Sequence, residues 1–353
     1  MKAWRIEKHG GPEVLKLTEA PTPEPGPMQV RIRVQAIGVN HLDVWVRKGV
    51  PGHKFPLPMI PGCDVSGEID SFGAGAEAAL QKSDLKKGSP VIVNSALSCD
   101  RCEACLSGNQ FLCAEFGILG ETQDGGAAEY VIVPVSNLIP RPSSMTAAEA
   151  AALPVPYVTA WSMLTRKVNL RPGELILIHA GGSGVSVAAI QMAKTLGAVV
   201  ITTVGSAEKA AKVKALGADH VINYRDSNFI QELKKITPQY HKKGVDVVVD
   251  HVGSDTLNDS LKALVRGGRL VTCGATSGAE VAINLKLIFF KNLSIHGSTM
   301  GSKADLMEVV DLIAQGKLKV VVDRELPFEK YPNALDLLEN RQIFGKVVVT
   351  GLR

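Results

Sequence analysis

Aromatic rings, long apolar runs and an excess of either charge are all scarce in this sequence. Of its 353 residues, 5% are aromatic and 21% charged, and 39 basic against 35 acidic side chains leave a net charge of only +4. So small a surplus provides no electrostatic footprint for nucleic acid or a membrane surface. The least polar stretch, Leu175 to Ala193, is broken by His179, Ser183, Ser186 and Gln191. It falls short of the roughly 18 to 20 apolar residues that a membrane span requires. The opening MKAWRIEKHGGPEV is charged from Lys2 and has no apolar signal core, so a soluble, cytoplasmic protein is expected. Glycine (34) and proline (19) are plentiful, and 45% of the residues are hydrophobic, which fits a globular protein rich in turns. At about 150 residues per domain, the length predicts two domains, with three as the alternative.

Cysteine is scarce except in one place. Cys99, Cys102, Cys105 and Cys113 fall together in CDRCEACLSGNQFLC, while Cys63 and Cys273 stand apart. Without a signal peptide, clustered thiols read as metal ligands rather than disulfides. Four thiolates suit tetrahedral Zn²⁺, and four protein ligands leave no open position, so the expected zinc is structural. Few basic residues flank the cluster, which argues against a nucleic-acid-binding finger.

Residues 1–140 read as strand and turn. Val30, Ile32, Val34 and Ala36 alternate within QVRIRVQA, and strands are also expected near Pro90–Asn94 and Ala128–Val133. Thr146 to Ala152 carries the Ser/Thr-x-x-Glu pattern that opens a helix. From Glu174 six short apolar runs alternate with helical stretches, at 175–180, 198–204, 220–224, 245–252, 269–274 and 293–298. Such alternation predicts an α/β fold with a doubly wound parallel sheet. Helices near 303–315 and 328–340 and strands near 318–325 and 345–350 complete the chain.

The first strand–helix turn reads HAGGSGVSVAAIQMAK. Gly181, Gly182, Ser183, Gly184 and Val185 form a degenerate dinucleotide fingerprint in the right place. Small residues let backbone N–H groups and the positive end of a helix approach a pyrophosphate. The second strand ends TTVGS, without the acid that binds the ribose hydroxyls of NAD. Ser206, Lys209 and Tyr224 instead suit a 2′-phosphate, which points to NADPH, with NADH as the alternative. Ser206 also reads as a helix N-cap, Lys209 as a surface charge and Tyr224 as a half-buried ring.

In this order, the β region, thiol lobe and dinucleotide region resemble the medium-chain dehydrogenase/reductase superfamily over essentially the whole chain. The residues that carry the likeness are GPEVL (11–15), PGPMQVRIRV (25–34), the four-cysteine lobe, AAEYVIVP (127–134) and the turn at 179–194. The branch of quinone oxidoreductases and zinc-type alcohol dehydrogenase relatives is the most similar, through VNHLDVWVRKG, TVGSAEKAAKVKALGA and VINYR. The resemblance implies a GroES-like irregular β-barrel catalytic domain from 1–140 and 302–353, with its zinc lobe at 95–115, and a Rossmann domain over 141–301. It also implies 2′-phosphate contacts at Lys209 and Tyr224, and a homodimer or homotetramer paired through the last Rossmann strand, LSIHGSTM.

The departures from the family pattern define the expected chemistry. Where zinc alcohol dehydrogenases read Cys-His-Thr-Asp, this chain reads Asn40-His41-Leu42-Asp43. Where they read Gly-His-Glu, it reads Gly62-Cys63-Asp64, and the third ligand position falls at Val155. Asn and Val are not usual zinc ligands, so a structural zinc without a catalytic one is expected. Without that Lewis acid, reduction of an activated acceptor is easier than alcohol oxidation. The expectation is an NADPH-dependent reductase of quinones or α,β-unsaturated carbonyls. Asn40 would supply an amide donor and Trp45 a stacking surface, and Asp43 and Arg47, on the same segment, read either as part of the site or as an internal ion pair or domain-positioning hydrogen bond. Tyr157 reads either as a neighbour of the nicotinamide or as core. Two alternatives are an alcohol or aldehyde dehydrogenase with an atypical metal set (His41, Cys63, Asp64) and a non-catalytic NADPH-binding protein.

Overall fold

The computed structural model describes residues 1–352. The chain divides into two compact units. One comprises Met1–Val155, Ser302–Gln315 and the chain from Val320 onward; the other comprises Pro156–Gly301 and Gly316–Lys319.

The first unit is built on one long strand, Gln29–Gly38, whose alternate side chains Val30, Ile32 and Val34 are buried. It pairs antiparallel with Asp64–Phe72, Tyr130–Pro134 and, from the far end of the sequence, Lys346–Thr350. Val322–Pro327 joins Lys346–Thr350 in parallel, and Pro90–Val93 and Leu138–Pro140 extend the other side. One side of the sheet is thus completed by residues more than three hundred positions from its start. The boundary falls after Val155 instead of at 140 because the helix Ala147–Ala151 presses Ala148 and Ala151 onto Ala36 and Val348. Gly38 permits that approach, since a Cβ there would lie 2.1 Å from the Ala151 carbonyl oxygen.

In the second unit six parallel strands stand in the order His220–Asn223, Val199–Val204, Leu175–Ile178, Val245–Val249, Leu264–Thr272, Ser294–Gly297. All five adjacent pairs are parallel. The sequence order reverses between Leu175–Ile178 and Val245–Val249, and ligands of such sheets bind beyond the strand ends at that point. The apolar runs are short because both faces are covered by helices, so Leu175 through Ile178 are all buried. The short segment Gly316–Lys319 joins this unit through Lys319, whose backbone bonds both Gln191 and Tyr157. Among the described residues, no helix is long and apolar enough to cross a membrane.

Candidate active site and cofactor turn

Asn40 ends the extended chain that follows Gly38 and caps the helix His41–Lys48. Asp43 folds back on it: one carboxylate oxygen accepts the Asn40 N–H at 2.7 Å and the other accepts Gly62 N–H at 3.0 Å. Burial pushes the Asp43 carboxyl up to about 6, against the pull of those N–H groups and of Lys346. Asp43 therefore positions two chain segments. Arg47, on the same helix, pairs with Glu339 and not with Asp43.

Asn40 belongs to a buried polar cluster that includes Lys346, a residue the sequence reading passed over. Lys346 Nζ donates to Val39 O at 2.7 Å, Asn40 Oδ1 at 2.6 Å and Asp64 Oδ2 at 3.0 Å. Its side chain is 3% exposed and that of Asp64 is 0% exposed. Asn40 Nδ2 donates to the same Asp64 oxygen at 2.8 Å. The other Asp64 oxygen accepts Ser95 Oγ at 3.1 Å and the N–H of Val155 at 2.8 Å, in the first turn of the helix Pro154–Ser162. These partners fix the amide orientation: its oxygen must face the ammonium and its nitrogen the carboxylate. The second Nδ2 hydrogen has weaker contacts, Cys63 Sγ at 3.2 Å and Gly38 O at 3.3 Å. Burial pushes the Cys63 thiol well above its usual range, which keeps it neutral.

Asn40, Cys63 and the backbone of Val155 thus meet around an internal ion pair. His41 and Trp45 lie half-buried on the helix that Asn40 caps, their ring centroids 6.5 Å apart. Tyr157 is a core residue whose hydroxyl donates to Lys319 O.

The thiol lobe is a second centre. Cys102 and Cys105 sulfurs lie 3.6 Å apart, Cys99 and Cys113 3.6 Å, and Cys99 and Cys105 3.9 Å. All four lie within 4.8 Å of one another. Zn–S bonds of about 2.3 Å make a tetrahedron with edges of about 3.8 Å, so the spacing fits zinc. Backbone N–H groups of Arg101 and Cys102 lower the Cys99 thiol to about 6, favouring the thiolate that a metal needs. Glu115 N–H similarly donates to Cys113 Sγ at 3.3 Å.

The third centre is the glycine-rich turn. Ala180 takes a left-handed φ of 50°, unusual for a residue with a Cβ. Gly181 follows, where a Cβ would lie 2.5 Å from Thr202 Oγ1. Gly182 is buried in the turn, and Ser183 caps the helix Gly184–Thr195 by accepting Ser186 N–H. Ser183, Gly184 and Val185 remain partly exposed at the helix N-terminus.

At the end of the next strand, Ser206 caps the helix Ala207–Ala215 by accepting Lys209 N–H. Tyr224 packs over Gly205, where a Cβ would lie 2.5 Å from its hydroxyl oxygen and 3.5 Å from Arg225 Nε. Ser206, Tyr224 and Arg225 therefore gather around one strand end, with Lys209 in the first turn of the helix that follows. Arg225 is an addition to the expected set; its signal was the basic residue closing VINYR. The nearby acid, Glu208, is paired with Lys212 at 2.7 Å.

An alcohol dehydrogenase GroES-like domain model matches residues 26–143, and a zinc-binding dehydrogenase model matches 184–315. Mouse quinone oxidoreductase is 32% identical over 99% of this chain and 97% of its own length. An NAD-dependent alcohol dehydrogenase of Sulfurisphaera tokodaii is also 32% identical, over 99% of both chains. The crystal structure of an NAD-dependent alcohol dehydrogenase superposes with a TM-score of 0.93 at 46% identity, covering 99% of this chain and 100% of that one. The chain belongs to the medium-chain dehydrogenase/reductase superfamily, with a GroES-like and a Rossmann-type unit. It is an NAD(P)-dependent oxidoreductase.

Proposed function

We propose that this enzyme reduces quinones or α,β-unsaturated carbonyls with NADPH and carries a structural zinc but no catalytic one. The buried cluster carries this reading. Asn40 and Val155 replace two ligand positions, and Cys63 is a neutral thiol. Both Asp64 oxygens are already engaged by Lys346, Asn40, Ser95 and Val155. A divalent cation would have to displace an ammonium from its carboxylate and would then find few ligands. The cysteine lobe, by contrast, offers four thiols at zinc spacing.

A nicotinamide, when bound, would supply the hydride, leaving negative charge on the acceptor oxygen. Asn40 would meet that oxygen with its second Nδ2 hydrogen as a hydrogen-bond donor, since that hydrogen has only the weakly accepting Cys63 sulfur and a long contact to Gly38 O. Lys346 polarises the amide from its oxygen side, making the remaining N–H a better donor. Asp43 holds Asn40 in place, and Trp45 offers a flat apolar surface for a ring.

Ser206, Lys209, Tyr224 and Arg225 support NADPH, since two cations and two hydroxyls suit a 2′-phosphate. A lower KM for NADPH than for NADH is expected, and K209E should raise the NADPH value at least tenfold while sparing NADH. The 46% identity to an NAD-dependent alcohol dehydrogenase favours a second reading, alcohol oxidation with NAD. A preference for NADH, unmoved by K209E, would support it.

The assembly proposed is a homodimer, with a homotetramer as the alternative. Ser294–Gly297 is the edge of the parallel sheet, with Ile295 43% exposed. The preceding helix Leu285–Lys291 exposes Leu285, Phe289 and Phe290. An apolar strand edge of this kind calls for a partner, and a second copy can pair it across a two-fold axis.

A further inference from the structure

At the point of order reversal in the Rossmann-type sheet a loop follows each of two strands, and these two lips flank the place where such sheets bind dinucleotides. The glycine-rich turn follows Leu175–Ile178, and His251 stands just beyond Val245–Val249. His251 Nε2 lies 3.2 Å from Ser183 Oγ and 2.9 Å from Ser186 Oγ. Ser183 caps the phosphate-facing helix, and Ser186 donates to His179 O at 2.7 Å. An imidazole therefore reaches from the far lip onto the turn where a pyrophosphate would rest.

Its surroundings are closed. Asp250 is spent on the N–H groups of Val252 and Gly253 and on the hydroxyls of Thr256 and Ser260. His179 is held between Thr203 and Ser260. The loop after Leu264–Thr272 contributes Thr276, whose N–H donates to His251 O. Asp250 and His179 are thus the titratable groups facing the imidazole from the elements packed around it.

We propose that His251 is a proton-linked residue of the cofactor site: it joins the two lips and takes up a proton as the dinucleotide's pyrophosphate arrives. This rests on reading the turn as the dinucleotide site. Without ligand, burial disfavours the imidazolium and holds His251 below the usual histidine range. Negative charge placed at the adjacent helix N-terminus favours the imidazolium, so binding raises the titration point. By linkage, affinity rises as pH falls through the window between the free and bound titration points. Above that window the ring is neutral in both states; below it, charged in both. Each unit by which binding moves the titration point is about tenfold in affinity.

NADH is the cleaner probe, because it lacks a titrating 2′-phosphate. Its Kd for the full-length protein should tighten several-fold to about tenfold from pH 8 to pH 5. Calorimetry in two buffers of different ionisation enthalpy should show net proton uptake within that range. H251Q, whose amide can still donate and accept, should lose both the slope and the uptake. Absence of uptake in the native protein overturns the inference, and so does an unchanged slope in H251Q. Failure to bind NADH or NADPH at any pH would instead overturn the cofactor-site reading on which it rests.

Discussion

Lys346 and Asp64 form an ion pair that water hardly reaches, and each also holds Asn40. Removing one member of such a pair leaves a charge stranded, at a cost of about 3–5 kcal/mol. K346M should therefore lose about that much in urea denaturation, and the neutral double variant K346M/D64N should lose much less than the two single losses combined. Simple additivity would show that the two groups do not depend on each other. Asp43 is a separate test. Its folded carboxyl titrates near 6, above the unfolded value of about 3.9, so the folded state binds more protons between those values. The ionised carboxylate is a liability at neutral pH, and stability from this group rises as pH falls from about 7 toward 4. Measured as native minus D43N, the thermal midpoint difference should shift toward the native protein over that range; a pH-independent difference would contradict it. Neither Lys346 nor the fate of Asp43 was legible in sequence. Lys346 sits in an ordinary strand, KVVVT, 282 positions from Asp64, and no local pattern announces a buried lysine.

Elements differed in how much their own residues declared. The strands were readable because apolar runs and alternation fix a period: Leu175–Ile178, Val199–Val204 and Val245–Val249 lie where the runs do. The helix His41–Lys48 was not, since eight residues are marginal for a helix and packing supplies the rest. Ser206 showed both faces of its signal: it caps a helix, and it stands at the strand end expected to meet the cofactor. The cysteine lobe has little regular structure, only the helix Glu103–Leu106, a short turn and a two-residue strand pair. On the proposed reading, zinc is then the main source of its order. C105S should drop bound zinc from about one per chain to near zero and open residues 99–113 to limited proteolysis. A protected lobe without zinc would show that hydrogen bonds suffice.

At the scale of the whole molecule, the two ends of the chain share one sheet, through Lys346–Thr350 on Gln29–Gly38. That return was legible only through resemblance, since no short-range pattern tells a strand which distant partner it will find. The first boundary was misplaced for a related reason: Ala147–Ala151 looks like the start of the following region, yet small residues seat it on the first unit. The exposed edge at Ser294–Gly297 leads to a solution prediction. I295K should convert a dimer to a monomer in sedimentation velocity, because charge on a strand edge opposes pairing; an unchanged dimer would place the interface elsewhere. Whether this oxidoreductase works without a catalytic metal is decided by one assay on metal-quantified protein. With about one zinc per chain, NADPH oxidation by a quinone or enone should proceed at full rate after chelator treatment that leaves the lobe loaded. About two zincs per chain, with alcohol oxidation that disappears when the second is removed, would contradict it.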